Sequence, residues 1–135
     1  MSREANLLVN IDVPDLDAGI AFYTAALGLA VGRRWDGFAE LTGRAAPLYL
    51  LEKAPGTAAS PSTGDLRRYD RHWSPVHVDF AVDDLDAATA RAVAAGAVQE
   101  GGARDAAYGR IAMFSDPFGN GFCLIAFNEA GYDAL

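Results

Sequence analysis

Val13-Pro14-Asp15-Leu16-Asp17-Ala18 returns as Val82-Asp83-Asp84-Leu85-Asp86-Ala87, an offset of 69 residues. The echo reaches further: Val9 matches Val78, Ala21 matches Ala90, Ala25 matches Ala94 and Ala26 matches Ala95. Self-similarity at a fixed offset marks repeated structural units. Two copies are too few for a solenoid, so the repeat predicts two modules packed together, with a ligand pocket between or beneath them. Any functional residue in one copy then has a counterpart to be compared with in the other.

The same local grammar surrounds both motifs. Leu7 to Val13 is apolar and β-branched and stops at Pro14, which predicts a strand. Asp15 is placed to cap a helix, with Asp17 in the first turn where the helix dipole favours an acid. Leu16, Ile20, Tyr23 and Leu27 share one helical face, and Gly28 is the stop. Ala30 to Trp35, Phe38 to Thr42 and Leu48 to Lys53 follow as strands, with a hairpin at Asp36-Gly37. In the second copy Pro75 to Val82 reads as a strand, and Asp84 caps a helix through Leu85, Ala88, Ala92 and Ala95 that Gly96 closes. Ala97 to Glu100, Arg110 to Ser115 and Gly121 to Phe127 complete it, with Gly101-Gly102 read as a turn. Asp116-Pro117-Phe118-Gly119-Asn120 is dense in turn formers. The fold class is therefore α+β: two tandem βαβββ modules whose mixed sheet curls around a concave cavity. Module 1 covers about 7–53 and module 2 about 75–127. A linker at 54–74 and a tail at 128–135 complete a single domain of residues 1–135.

Composition narrows the partners. The formal net charge of −7 argues against a nucleic-acid binder, which needs a basic surface to neutralise phosphates. It would suit a cationic ligand, although solubility alone accounts for it. No apolar run reaches the length of a membrane span. Cys123 is the single cysteine, so no internal disulfide forms. Met1-Ser2-Arg3-Glu4-Ala5-Asn6 opens no signal-peptide pattern, and the expected location is cytoplasmic.

Strand–VPDLDA–helix–Gly, a second VDDLDA copy, and Asp116-Pro117-Phe118-Gly119-Asn120 before the last strand resemble the vicinal oxygen chelate superfamily. That group includes glyoxalase I, bleomycin-resistance proteins and extradiol dioxygenases. The second half, from His77-Val78-Asp79-Phe80 to Gly121-Phe122-Cys123, is most similar to its glyoxalase-like branch. The resemblance implies a half-barrel cavity, commonly completed in a homodimer. It also implies four metal-ligand positions, on the first and last strand of each module. Carried over one at a time, these fall at Leu8, near Tyr49, at His77 and at Cys123. Only His77 is an ordinary ligand. Leucine cannot ligate, neutral tyrosine rarely does, and a cysteine would put a soft thiolate into a usually hard site. No cofactor is therefore expected, with a divalent metal as the lesser alternative. Asp79 shares a strand face with His77 and has Asn10 as its repeat partner. A shifted site from His77, Asp79 and Asn10 is one reading; the favoured one has Asp79 orienting the His77 ring or pairing with a linker arginine.

Trp35, Phe38, Trp73 and Tyr108 lie at strand ends or loops, where aromatic walls grip planar ligands, although core or dimer packing uses the same residues. Candidate ligand-binding residues are thus Asn10, Trp35, Phe38, Tyr49, Trp73, His77, Asp79, Tyr108 and Cys123. His77, Asp79 and Cys123 are the candidates for catalysis. Cys123 needs a lowered pKa to act as a nucleophile; the plainer reading is a small buried hydrophobe. Arg67, Arg68, Tyr69, Asp70, Arg71 and His72 read as a solvated linker. The leading expectation is a protein that binds a small organic molecule, aromatic or cationic, without the usual catalytic metal. The alternative is a glyoxalase-type lyase, isomerase or dioxygenase acting through His77 and a shifted or metal-free site.

Overall fold

Asp15 and Asp84 do what short acidic side chains do before a helix: each accepts a hydrogen bond from the backbone N–H three residues on, at 2.9 and 3.0 Å. A computed structural model describes residues 5–135; Met1 to Glu4, part of the stretch read for a leader, lie outside the described residues. The chain divides into two compact units, 1–69 and 70–135, with the division inside the 54–74 stretch.

In the first unit β1 (Val9–Val13) leads to α1 (Leu16–Leu27), then β2 (Ala30–Trp35), β3 (Phe38–Thr42) and β4 (Leu48–Glu52). The sheet order is β1-β4-β3-β2, with β1 parallel to β4 and the rest antiparallel. The helix buries Leu16, Gly19, Phe22, Tyr23, Ala26 and Leu27. Ile20, expected on that face, is only half-buried. Gly19 takes the contact instead, because a Cβ there would press on Val13 and Leu50 at 3.1–3.2 Å. Val13, Ala39, Leu41, Leu48 and Leu50 form the other side of this core. Each large aliphatic chain so buried contributes about 1.5–3 kcal/mol.

The second unit repeats the order: β5 (Val78–Ala81), α2 (Leu85–Ala95), β6 (Val98–Ala106), β7 (Gly109–Ser115) and β8 (Gly121–Phe127), arranged β5-β8-β7-β6. A short 3-10 turn at Gly131–Ala134 follows. The class is α+β and the doubled βαβββ order is as expected, in two separate four-stranded sheets. Here the helix face is small, with Leu85, Ala88 and Ala92 buried. Phe80, Phe114 and Phe122 fill the space these alanines leave, with Phe114 and Phe122 stacked at 5.4 Å.

Two local readings are corrected. Gly101-Gly102 is not a turn between strands; it lies inside β6, where the pairing with β7 slips between Glu100 and Arg104. Gly101 has φ +73°, the left-handed backbone that a β-bulge of this kind asks of a glycine. The repeat foreshadows it: Gly32, 69 residues earlier, sits in the corresponding slip of β2 between Val31 and Arg34. The turn proper is Ala107-Tyr108. The second correction is that β5 begins at Val78, not Pro75. Pro75 has no N–H to give a ladder, and the Val76 N–H turns back to Ser74 Oγ at 3.2 Å. His77 therefore stands just ahead of the strand.

The Asp116–Asn120 turn is held by one carboxylate. Asp116 Oδ1 accepts from the N–H groups of Phe118 (2.8 Å) and Asn120 (2.9 Å), and Oδ2 accepts from Asn120 Nδ2 at 3.0 Å. Within it Gly119 has φ +84°, and a Cβ there would meet the Asp70 carbonyl oxygen at 2.1 Å. Both strain and backbone collision oppose a side chain. Gly119→Ala is therefore expected to destabilise the protein by at least about 1–3 kcal/mol, read as a lower denaturant midpoint; an unchanged midpoint would show that Asp70 can move away freely.

Candidate functional site

Strand register builds a row of side chains across the open face of the second sheet, the face away from α2. Asp79 on β5 pairs with Cys123 on β8, Cys123 with Met113 on β7, and Met113 with Glu100 on β6. Neighbours in register share a face. At the end of the sheet where β8 begins lies a recess of ≈ 180 Å³, lined by Arg71, Trp73, Val76 and His77 from the segment entering β5 and by Met113 and Cys123 from the sheet. Trp73 is 80% exposed at its edge and Met113 is 53% exposed.

His77, Asp79 and Cys123 meet here. The His77 imidazole Nε2 lies 3.1 Å from Asp79 Oδ1. The potential ligand atoms of all three residues fall within 4.8 Å of one another. Cys123 is 5% exposed. Burial, then the Asp79 charge and a hydrogen bond to its carboxylate, push the thiol up to about 11, against a weaker pull from Arg104. A thiol in that state is a poor nucleophile at neutral pH.

Arg71 is the residue that sequence reading missed. It lies in the stretch taken for solvated linker, yet its guanidinium holds both Glu100 oxygens, Nε to Oε2 at 2.6 Å and Nη2 to Oε1 at 2.9 Å. It also donates to the carbonyls of His72 and Gly119. The pair raises the Arg71 pKa and lowers that of Glu100, the shared hydrogen bond being the main cause in each. Gly121 leaves the room: a Cβ there would sit 3.0 Å from Arg71 Nη2. His72 bridges the Asp70 carbonyl and Asn120 Oδ1, each at 3.0 Å. Arg67, from the same stretch, pairs with Asp12 in the first unit at 2.8 Å. Met113 was missed as well: Ile111, Ala112, Met113 and Phe114 are all apolar, so no alternation of polar and apolar residues marks its face.

The corresponding row in the first unit has other chemistry. Asn10 pairs with Tyr49 and Tyr49 with Glu40, so Asn10 and Tyr49 hold the places that Asp79 and Cys123 hold in the second. The Tyr49 hydroxyl donates to Glu40 Oε2 at 2.8 Å and accepts from Arg33 Nη2 at 3.1 Å, and Arg33 grips Glu40 at 2.7 Å. Hydrogen bonds from Arg33 and then from Tyr49 pull the Glu40 carboxyl from 4.5 down to about 2. Gly32 leaves the carboxylate its place, since a Cβ there would meet Glu40 Oε1 at 2.5 Å. Trp35 and Phe38 stack on each other at 4.2 Å, with Arg33 over the indole at 5.4 Å. Tyr108 is not at the recess. It packs on Phe127 and Tyr132 at the opposite end of the second sheet, where Gly109 pairs with Phe127.

Residues 8–125 match the family described as glyoxalase-like domain. The chain belongs to that family. It is 34% identical over 127 residues to the anthracycline biosynthesis protein DauV of Streptomyces sp. (strain C5), a match covering 90% of this chain and 41% of DauV. The chain thus spans about two fifths of that curated relative. Solved structures share the fold. A glyoxalase/bleomycin resistance protein/dioxygenase from Nocardioides has a TM-score of 0.65 and 24% identity, over 97% of this chain and 88% of its own. The fosfomycin resistance protein FosX of Listeria monocytogenes has 0.72 and 17%, over 99% and 100%. For this glyoxalase-like chain, the metal positions that its superfamily resemblance implies can be tested by donor chemistry. Leu8 offers no ligand atom and the Tyr49 hydroxyl is committed to Glu40 and Arg33. A hard-ion site spread over Leu8, Tyr49, His77 and Cys123 does not fit.

Two measurements follow from these environments. At pH 8 Cys123 is expected to react with iodoacetamide roughly a hundredfold more slowly than a free thiol of ordinary pKa, from thiolate fraction alone, and Asp79→Asn to react faster than wild type. Equal rates in the two proteins would remove Asp79 from the account. Glu40 titrates lower in the folded chain than its ordinary 4.5, at about 2. Its contribution to stability is therefore complete above about 4.5 and lost as pH falls toward 2. Glu40→Gln should flatten that part of the stability–pH curve, measured by urea midpoints from pH 5 to 2.

Proposed function

We propose that this chain binds a small organic molecule, planar and aromatic in the part it inserts, at the recess of the second unit. The observation that carries the reading is Trp73, an 80% exposed indole at the edge of a recess whose wall also holds Val76 and Met113. Water-exposed indole costs free energy that a stacked ring would recover, and edge placement leaves it free to stack. His77 and Arg71 supply polar handles of the kind that orient a ligand within an apolar pocket. The name of the relative DauV supports an aromatic ligand, since anthracyclines are fused-ring aromatics. Size limits how such a ligand would sit. Pockets that engulf drug-sized molecules run to about 300–1,000 Å³, so ≈ 180 Å³ takes one ring edge and leaves the rest outside. In this reading the molecule is held without a metal at the four superfamily positions, in a cytoplasmic homodimer.

A second reading, a glyoxalase-type lyase or isomerase, is favoured by one observation. His77 Nε2 faces Asp79 Oδ1 at 3.1 Å beside the recess, the arrangement of an imidazole base held in place by a carboxylate. Calorimetric titration with an anthracycline tests the first reading. Trp73→Ala is expected to weaken binding about tenfold, the scale of one lost aromatic contact. Equal affinity in variant and wild type would sink it. Turnover of an added α-keto aldehyde or epoxide that vanishes in His77→Ala would establish the second.

A further inference from the structure

We infer that the ligand presents an uncharged aromatic hydroxyl to the recess, and that His77, set by Asp79, selects it over an ether, a ketone or an anion. This rests on the recess being the ligand site and names the chemistry that the site prefers. Two lone pairs facing each other at 3.1 Å would repel, so the proton of the uncharged His77 ring sits on Nε2, opposite Asp79 Oδ1. The Cys123 thiol hydrogen-bonds the same carboxylate, which helps to fix it. An imidazole with its proton on Nε2 has a bare lone pair on Nδ1. Among the described residues no protein group bonds to Nδ1, and His77 stands in the wall of the recess. The ring is thereby set as an acceptor, and an acceptor asks the ligand for a donor. A phenolic O–H is the strongest uncharged donor that an aromatic ring carries.

The other side chains of the recess do not take this role. Arg71 and the Trp73 indole can only donate, and the sulfurs of Met113 and Cys123 are weak acceptors. Ser74 Oγ already accepts from the Val76 N–H. A ligand edge made of ether or keto oxygens would meet the donors and leave Nδ1 covered and unmatched, a loss that a hydroxyl avoids. Charge then decides which form of the hydroxyl enters. The Arg71 guanidinium is matched by Glu100 through two short hydrogen bonds. At Cys123, in the wall of the recess, the Asp79 charge outweighs that of Arg104. A phenolate or carboxylate arriving there is repelled rather than drawn in. The device belongs to one copy of the repeat: Leu8 and Asn10 hold the positions of His77 and Asp79 in the first unit and form no such pair.

Three two-ring probes that differ in one substituent test this by calorimetry at neutral pH: β-naphthol, its methyl ether and β-naphthoate. Wild type is expected to bind the naphthol about tenfold more tightly than either of the others, the scale of one hydrogen bond in a half-open site. His77→Ala should bind naphthol and ether alike. Asp79 acts through His77 as a positioning residue, and Asp79→Asn tests that. The amide can turn its NH₂ to Nε2 and move the ring proton to Nδ1, so the preference should shrink or reverse, and the ¹⁵N shifts of the His77 ring should report the change of tautomer. Both side chains are partly exposed, so these variants leave the core intact. Trp73→Ala should weaken all three probes together and keep their order, since stacking does not depend on the substituent. Naphthol and ether bound equally by wild type overturns the inference while leaving the recess an aromatic site. An unchanged naphthol preference in His77→Ala overturns it as well, by placing the hydroxyl elsewhere. Binding of none of the three overturns the aromatic reading of the recess and this inference with it.

Discussion

The carboxylate of Asp116 is the constraint on which the second unit's open face depends. It is 3% exposed, and a charge so placed is costly unless its lone pairs are met. Three N–H groups of its own turn meet them. That fixes Gly119 in a left-handed backbone against Asp70, and Asn120 where its Oδ1 holds His72. The chain that enters β5 is thereby laid along the turn, with Arg71 aimed at Glu100 and with Trp73, Val76 and His77 set at the recess. The Arg71–Glu100 pair is partly exposed, so its worth is small in stability, about 0–1 kcal/mol. Its consequence is positional: it ties the incoming segment to the far strand of the sheet.

The two copies show how a repeat can keep its backbone while its chemistry diverges. Both units use an Asp cap, a glycine stop, the same strand order and a bulge at the same place in the third element. Across their open faces the rows differ. One carries Asn10, Tyr49 and Glu40, closed on itself by Arg33; the other carries Asp79, Cys123, Met113 and Glu100, with His77 at its end. The Tyr49 hydroxyl is committed within its own row, whereas His77 and Trp73 remain open to solvent. This asymmetry is why the ligand reading falls on the second unit.

Much of this was legible in the chain. β2, β3, β8 and both helices lie where periodicity, caps and turn residues put them, because those signals are local. The misplaced features each have a non-local cause. β6 runs through Gly101-Gly102 because strand β7 supplies partners beyond the bulge, and a glycine pair looks the same in a turn. Pro75 to His77 drop out of β5 because a proline cannot pair. Tyr108 lies with Phe127 and Tyr132 because β6 and β7 are long enough to carry their turn to the other end of the sheet. Arg71 had no signal of its own. Its partner is Glu100, and the glycine that makes room for it is Gly121.

The sequence by itself determined the doubled α+β order, the helix boundaries and the family. Each of these rests on contacts between near neighbours or on a pattern that repeats along the chain. It also determined that Leu8, one of the four positions the resemblance implies for a metal, has no atom to give to one. Only the tertiary structure decided that His77, Asp79 and Cys123 converge, that Tyr49 is committed to Glu40 and Arg33, and that a stretch resembling linker builds one wall of the recess. Those facts depend on strand register, and register is set by the pairing of strands far apart in the chain.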